Sequence, residues 1–197
     1  MQIHLITSET ITKYQKLVKD PVTRDIWSTA FGKEFGNMTQ GDNKTKTLET
    51  CSIFVITHNE IRRIPQDRFV TYARLVVTFI PQKDEPNRVI VTAGGNLIKY
   101  SGELTTRTLD MTTAKILWNS IIITEGARFR VLDIENFFLG TSLDRFKYMK
   151  IPITLFPALF GQQFQLHDNC VKNRSIYFEI RKAIYGLPQA GILAKKS

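Results

Sequence analysis

Two runs of β-branched residues limit most strongly which folds this chain can adopt, because they are spaced as the two strands of a hairpin. The runs cover Val70 to Ile80 and Arg88 to Ala93. The segment between them, 81–87, is polar and contains two prolines, an aspartate and an asparagine. β-Branched side chains favour strands, whereas these polar residues and proline favour a turn. The pattern therefore predicts a β-hairpin with a long polar tip.

Helical patterns lie on both sides of this hairpin. Asp20-Pro21 offers a capping residue and a proline suited to the first helical position, and Gly36-Asn37 offers an end. Between these two signals, five apolar residues occur at helical spacing: Ile26, Trp27, Ala30, Phe31 and Phe35. A second helix is predicted to begin between Asp110 and Thr112 and to run through Ser120.

Three shorter apolar runs predict further strands, at Ser52 to Thr57, Phe129 to Ile134 and Ile176 to Ile180. Helices and strands of this kind alternate without an internal repeat or a low-complexity tract. The expected fold class is therefore α+β, with the apolar content of one sizeable core.

The charge of the chain favours a polyanionic partner. Lys and Arg number 27 against 18 Asp and Glu, which leaves a net charge of +9 at pH 7. Such an excess of positive charge favours binding to nucleic acid, because basic side chains neutralise phosphates and release their counterions. A solvated, lysine-rich surface without any partner would give the same count.

Other features limit the class of protein. Cys51 and Cys170 are isolated, so neither a disulfide scaffold nor a zinc site is indicated. No apolar run reaches the roughly 18 residues needed to span a bilayer, and the amino terminus lacks the pattern of a signal peptide. We therefore expect an intracellular protein, cytoplasmic or nuclear, with no membrane partner.

One carboxylate lies at a position where it could bind a metal ion. Asp133 lies at the end of the apolar run that begins at Phe129. Side chains at strand ends can converge on a divalent cation through oxygen ligands. An aspartate in this position is, however, more commonly a turn former or a helix cap.

The residues around Asp133 and those near the carboxyl end resemble two motifs of reverse transcriptases. In the first motif of that family a metal-binding Asp is followed five positions later by an aromatic residue, a spacing that Asp133 and Phe138 keep. The segment Tyr177 to Ala190, which includes Tyr185-Gly186-Leu187-Pro188-Gln189, is similar to the second motif in its copia-type retrotransposon form. The first helix and the hairpin resemble the leading helix and the fingers of the family.

The resemblance implies RNA-directed DNA polymerisation. In this reaction a primer 3′-hydroxyl attacks the α-phosphate of a deoxynucleoside triphosphate, while two Mg²⁺ or Mn²⁺ ions hold the attacking and leaving oxygens. Asp133 would be a catalytic metal ligand, and the backbone at Ile134 would lie near the triphosphate. The implied partners are an RNA or DNA primer–template and deoxynucleoside triphosphates.

The resemblance also implies a set of nucleotide-binding residues. Phe138 would pack beneath the sugar and exclude a 2′-hydroxyl, and Gln189 would face the sugar and base. From the residues alone, an ordinary core side chain is the favoured interpretation of Phe138, and Gln189 also suits the beginning of a helix after a proline turn. On the hairpin, the cations available for the triphosphate are Arg74, Lys83 and Arg88. The family usually has an arginine where this chain has Ile90, which cannot donate to a phosphate.

The third motif of the family, Tyr-x-Asp-Asp, does not occur in these residues, and neither does any Asp-Asp pair. One carboxylate cannot hold two metal ions in a competent geometry. We therefore expect the 197-residue chain to be inactive alone and not to bind Mg²⁺ stably. A non-catalytic, basic nucleic-acid-binding module is the alternative function, and a degenerate product without a role is a third possibility.

The resemblance finally implies a partial right-hand polymerase in a single domain. Residues about 20–125 would form the leading helix and fingers, and about 126–197 the first part of the palm. Asp133 would sit on an incomplete antiparallel sheet, separate from the fingers hairpin. An incomplete sheet exposes an edge or an apolar face, so poor solubility is expected.

Overall fold

The fold is a mixed sheet with helices packed on both of its faces. The computed structural model describes residues 14–41, 49–102, 109–130, 134, 136–157, 160–163, 166 and 168–196. The strands are β1 (Ile53–Ile56), β2 (Val70–Phe79), β3 (Asn87–Ala93), β4 (Ser142–Pro152), β5 (Val171–Lys172) and β6 (Ser175–Lys182). The α-helices are α1 (Tyr14–Lys19), α2 (Arg24–Met38), α3 (His58–Arg62), α4 (Met111–Ile123), α5 (Phe160–Gln163) and α6 (Ala190–Lys196). Three short 3₁₀ turns cover Gly95–Leu97, Ile153–Leu155 and Asp168–Cys170.

The strand order is β1-β6-β4-β2-β3, with β5 paired to the beginning of β6. All pairings are antiparallel except that of β2 with β4, where Val70–Tyr72 lies alongside Tyr148–Lys150. Through this pairing the hairpin formed by β2 and β3 joins the central sheet. The expectation of a hairpin separate from an antiparallel sheet was therefore wrong.

The main core lies between the sheet and α2. Phe31 and Phe35 are fully buried on the inner face of α2, and their rings contact Phe156 and Phe178 at centroid distances between 5.3 and 5.6 Å. Such offset and edge contacts between aromatic rings add to the free energy gained from burial. This aromatic cluster holds α2 against the strands that carry the candidate site.

A smaller apolar cluster covers part of the opposite face of the sheet. Ile56 and Tyr177 are buried there under Ile61 of α3. Thr57 and Glu60 form a capping box that starts this short helix. The rest of the outer face, beyond α3, carries charged and aromatic side chains.

Helix α4 contrasts with α2 because none of its residues is buried. Ile122 and Ile123 are 76% and 82% exposed, and Trp118 contacts only the neighbouring ring of Phe129, at 4.5 Å, among the aromatic residues described. No helix in the described part of the chain is long and apolar enough to cross a membrane.

Several predicted elements are confirmed. The hairpin strands, the strand at 53–56, the strand ending at Lys182 and the helix that Asp110 caps all occur close to their expected bounds. Both Cys51 and Cys170 are free thiols.

The first long helix was predicted with the wrong ends. Asp20 accepts a hydrogen bond from the Val22 backbone N–H at 3.0 Å, which stabilises a turn, and α2 begins only at Arg24. The helix also continues through Gly36. It ends where Gly41, at a φ of +83°, directs its N–H back to the Gly36 carbonyl oxygen at 2.8 Å.

The predicted strand at 129–134 is not found where it can be checked. Phe129, Arg130 and Ile134 are not in a strand, and residues 131–133 lie outside the described part of the chain. Instead, the long strand β4 follows, and its pairing with β2 and β6 makes it the centre of the sheet.

Candidate functional site

Three distant segments meet at the base of the hairpin. The ring of Phe138 contacts the ring of Tyr185 edge to face, with centroids 5.2 Å apart. The Ala93 N–H donates to the Tyr185 carbonyl oxygen at 2.8 Å, and the Ala183 N–H donates to the Thr141 carbonyl oxygen at 2.7 Å. The end of β3, the segment 136–141 and the turn after β6 therefore form one junction, which we call the hairpin-base junction.

Two glycines allow the backbones to approach this closely. Gly186 has a φ of +88°, and a Cβ atom added to it would lie 2.1 Å from the Ala93 carbonyl oxygen. A Cβ on Gly95 would lie 2.1 Å from the Gly186 carbonyl oxygen. No side chain fits at either distance, so these positions require glycine for packing, and Gly186 requires it for conformation as well.

Hydrogen bonds fix the segment that carries Phe138. Asn136 has a φ of +56°, which asparagine tolerates better than most residues. Its side-chain amide exchanges two hydrogen bonds with that of Asn37, at 2.7 and 3.1 Å. The Ser52 hydroxyl donates to the Leu139 carbonyl oxygen at 3.1 Å. Phe138 is thereby held between α2, β1 and the Tyr185 turn.

Phe138 and Gln189 differ in their exposure. The Phe138 ring is partly buried against the core and leaves some of its surface open. Gln189 is only 4% exposed, and its Oε1 atom accepts no hydrogen bond from any described residue. A buried acceptor without a donor costs about 1 to 3 kcal/mol, and such groups call for a functional or structural reason.

The three hairpin cations lie at different distances from this junction. Arg74 and Arg88 are exposed and share one face of the hairpin, because Arg74 is opposite Thr92 and Arg88 is opposite Thr78. Arg74 stands one residue from the Ala73–Ala93 pair at the base. Arg88 lies five residues from Ala93 on β3, about 17 Å from the base of the hairpin at 3.3 Å per residue. Lys83 is exposed in the tip.

Ile90 lies between the two arginines on this face, opposite Val76. Because both side chains are apolar, the middle of the face offers no donor to a phosphate. Along the strands, Arg74 is therefore the cation nearest to the base of the hairpin, and Arg88 and Lys83 lie farther out.

The predicted metal ligand cannot be placed. Asp133 lies outside the described part of the chain, while Ile134 is described and is 64% exposed. Among the described residues, no three His, Cys, Asp or Glu side chains are grouped so that they could hold a metal ion. The described residues alone therefore do not fit a magnesium or manganese site, and that site remains a prediction from the resemblance.

A partly buried carboxylate beside the hairpin was missed from the sequence. Glu34 Oε1 accepts a hydrogen bond from the Val91 N–H at 3.2 Å. Burial raises the pKa of Glu34 to about 7, although the Val91 bond and the charge of Arg88 act in the opposite direction. Its position three residues after Phe31, on the apolar side of α2, was the signal available in the sequence.

No family model, curated protein or solved structure matches this chain. The hairpin-base junction is formed by the contacts of the Tyr185 turn with Phe138 and with the end of β3.

Proposed function

We propose that this chain is the fingers and the first part of the palm of a copia-type retrotransposon reverse transcriptase, an RNA-directed DNA polymerase. The observation that supports the proposal best is the contact of Phe138 with Tyr185, 5.2 Å between ring centroids. It joins the two segments that resemble the first and second motifs of the family. Those segments are far apart in the sequence and need not have met.

The placement of Phe138 supports a role at the sugar of a nucleotide. One edge of its ring is fixed by Tyr185, and the ring remains partly open. A rigid aromatic side chain at this place can pack against a deoxyribose and exclude a 2′-hydroxyl by its volume. Rigidity matters because a movable ring would accommodate the extra oxygen.

The unpaired Oε1 of Gln189 supports a site at the same turn. The Gln189 backbone carbonyl oxygen accepts the Leu193 N–H at 3.0 Å and so begins α6, whereas the side-chain Oε1 has no hydrogen-bond partner among the described residues. Buried polar groups without partners are rare and concentrate at functional positions.

Arg74 supplies positive charge on the hairpin side of the junction, and it is the hairpin cation that we propose for the triphosphate. An arginine binds phosphate through two parallel N–H groups, which orients as well as attracts it. Arg88 and Lys83 would take part only if the outer hairpin folded toward the junction.

Polymerisation requires carboxylates that these 197 residues do not contain, since no Asp-Asp pair is present. We therefore propose that the chain acts together with a segment that supplies Tyr-x-Asp-Asp. In this proposal Asp133 contributes one carboxylate to the site and the added segment contributes the others.

Primer extension on an RNA template tests the proposal. The chain is joined at its carboxyl end to a palm segment containing Tyr-x-Asp-Asp, and the incorporation of deoxynucleotides is measured with Mg²⁺ and with Mn²⁺. We expect extension by the joined chain and at least a roughly hundredfold loss in its Asp133→Asn variant. The unjoined chain should give none.

Asp144→Asn serves as the matched control, since Asp144 is an exposed aspartate on β4 and is not one of the residues 136–141 that belong to the hairpin-base junction. Thermal unfolding of the joined chain establishes that it is folded before activity is compared. A folded joined chain without activity, or one in which Asp133→Asn and Asp144→Asn behave alike, would contradict the proposal.

A further inference from the structure

Two cavities meet at the central strand β4. The larger is a groove of about 350 Å³ on the outer face of the sheet, opposite the α2 core, between β1, α3 and β6. The smaller, of about 80 Å³, lies beside the beginning of β2. Tyr148 lines both of them, so the two cavities adjoin. We call this surface the Tyr148 face.

The larger groove contains a cation held between aromatic rings. The Arg181 guanidinium carbon lies 4.0 Å from the ring centroid of Phe54 and 5.4 Å from that of Phe146. Its Nε donates to Glu179 at 2.7 Å, which fixes the plane of the guanidinium. Phe146 is 41% exposed. The strand register places these groups on one face, because Phe54 and Tyr148 both pair with Glu179.

The smaller cavity is crowded with positive charge. Arg68 and Lys147 line it, and Arg145 reaches its edge through Asp67, which both arginines contact at 3.7 and 3.4 Å. Burial and the charges of Arg68 and Arg145 lower the pKa of Lys147. Asp67 is the one carboxylate among the described residues that line this cavity, beside three cations, so positive charge is in excess there.

A second aromatic residue belongs to the same cavity. Phe69 is 57% exposed, and the Lys99 ammonium lies over its ring at 5.5 Å. Among the described residues, no carboxylate forms an ion pair with Lys99 or Lys147. These two ammonium groups are thus available to an anion from solution.

The carboxylates of the larger groove are already engaged. Glu60 accepts hydrogen bonds from the Thr57 N–H at 2.7 Å and from its hydroxyl at 2.8 Å, and Glu179 holds Arg181. Arg63, which lines the same groove, makes no ion pair within 4.0 Å with a described carboxylate, although its charge acts on Glu60. The Tyr148 face as a whole is therefore cationic and aromatic.

We propose that the Tyr148 face binds single-stranded nucleic acid, with a backbone phosphate in the smaller cavity and a base in the larger groove against the Phe54 ring and the Arg181 guanidinium, which Phe146 also contacts. Cations that follow a backbone, interleaved with rings on which bases stack, are the features by which proteins hold single strands. A groove of about 350 Å³ is at the small end of ligand cavities, as suits one base. Paired bases expose only their edges, so a duplex cannot use the rings in this way.

This inference does not depend on the proposed polymerase activity, because none of its residues belongs to the hairpin-base junction. Single-strand binding without polymerisation would leave the inference standing, whereas polymerisation without a contribution from the Tyr148 face would leave only the proposed function.

Fluorescence anisotropy with labelled homopolymers of about 15 nucleotides tests the inference. Oligothymidylate, oligouridylate and a matched duplex are titrated with the full chain at two salt concentrations. We expect either single strand to bind at least about tenfold more tightly than the duplex, and the affinity to fall as salt rises. The two homopolymers distinguish DNA from RNA as the preferred strand.

Two pairs of variants assign the binding to this face. Phe146→Leu and Arg181→Lys should each weaken single-strand binding about tenfold, because the first removes a ring and the second keeps the charge but loses the planar stack. Phe129→Leu and Arg128→Lys change an exposed ring and an exposed arginine elsewhere and should bind as the unmodified chain does. Lys147→Gln should reduce the slope of log affinity against log salt by about 1.

Thermal unfolding of each variant establishes that the fold is kept. The inference would be overturned by duplex binding as tight as single-strand binding, or by Phe146→Leu and Arg181→Lys variants that bind normally. It would also be overturned if a polyglutamate chain competed as well as an oligonucleotide of equal charge, since that result would identify a surface selective for charge alone.

Discussion

Gly186 is the residue at which two backbone segments of the candidate site come closest. Its Cα faces the Ala93 carbonyl oxygen, and its own carbonyl oxygen faces Gly95. The conformation and the contact distance both exclude a larger residue. The motif that identified this turn in the sequence thus coincides with a packing requirement between the turn and the hairpin.

Replacing Gly186 by alanine should destabilise the chain strongly. The added Cβ would collide with the Ala93 carbonyl oxygen, and alanine is strained at a φ of +88°. We therefore expect the free energy of unfolding to fall by about 3 kcal/mol or more. Gly126→Ala is the matched control, because Gly126 has a φ of +75° but no atom within 4 Å of an added Cβ. The Gly126→Ala substitution should lower the free energy of unfolding by only about 1 kcal/mol. Denaturant unfolding measures both, and equal losses would show that the contact at Ala93 is not tight.

Glu34 gives the fold a dependence on pH. Its pKa rises from 4.5 in the unfolded chain to about 7 in the folded one, so the folded state binds the proton more tightly. The associated stability is fully present below about pH 4.5, decreases as the pH rises toward 7, and changes little above that.

Glu34→Gln should remove this dependence and keep the hydrogen bond from Val91. At a pH well above 7 the variant should be more stable than the unmodified chain, by up to about 3 kcal/mol, whereas near pH 4.5 the two should be similar. Unfolding by urea across this range measures the difference, and Glu125→Gln at an exposed position is the control. A stability difference that does not grow between pH 4.5 and 7 would contradict the explanation.

At the scale of elements, local sequence predicted the hairpin and α4 but not β4. The hairpin is encoded by adjacent β-branched runs, and α4 by the Asp110 cap, whose side chain accepts the Thr113 N–H at 2.9 Å. Strand β4 mixes charged and apolar residues, and its partners β2 and β6 are distant in the sequence. Only tertiary pairing makes it a strand. Helix α3 was missed because it is short, although its capping pair, Thr57 and Glu60, was visible.

The exposed apolar surface of α4 should make the chain self-associate. Ile122 is 76% exposed and contributes to a patch that the described residues leave uncovered. Ile122→Lys should therefore lower the associated fraction without lowering the melting temperature. Ile26→Lys, at an apolar residue on α2 that is 49% exposed, adds the same charge elsewhere and should change association much less. Sedimentation velocity measures the outcome, and equal effects of the two changes would show that net charge alone controls association.

At the scale of the whole molecule, the sequence singled out two segments by a resemblance but did not indicate how they meet. These segments are Asp133 to Phe138 and the turn at Tyr185. That the turn also locks the base of the hairpin depends on two glycines whose neighbours are remote in sequence. The burial of Gln189 and the incorporation of the hairpin into the central sheet likewise follow from packing, which no local pattern reports.

The central claim is that Phe138 lies at the sugar of an incoming nucleotide in a polymerase site. The most direct test is the ratio of deoxyribonucleotide to ribonucleotide incorporation by the chain joined to a Tyr-x-Asp-Asp segment, with Phe138 intact and with Phe138→Ala. We expect the intact ring to favour deoxyribonucleotides and the alanine variant to lose at least about tenfold of that preference while still extending the primer. An unchanged ratio in an active Phe138→Ala variant would contradict the claim.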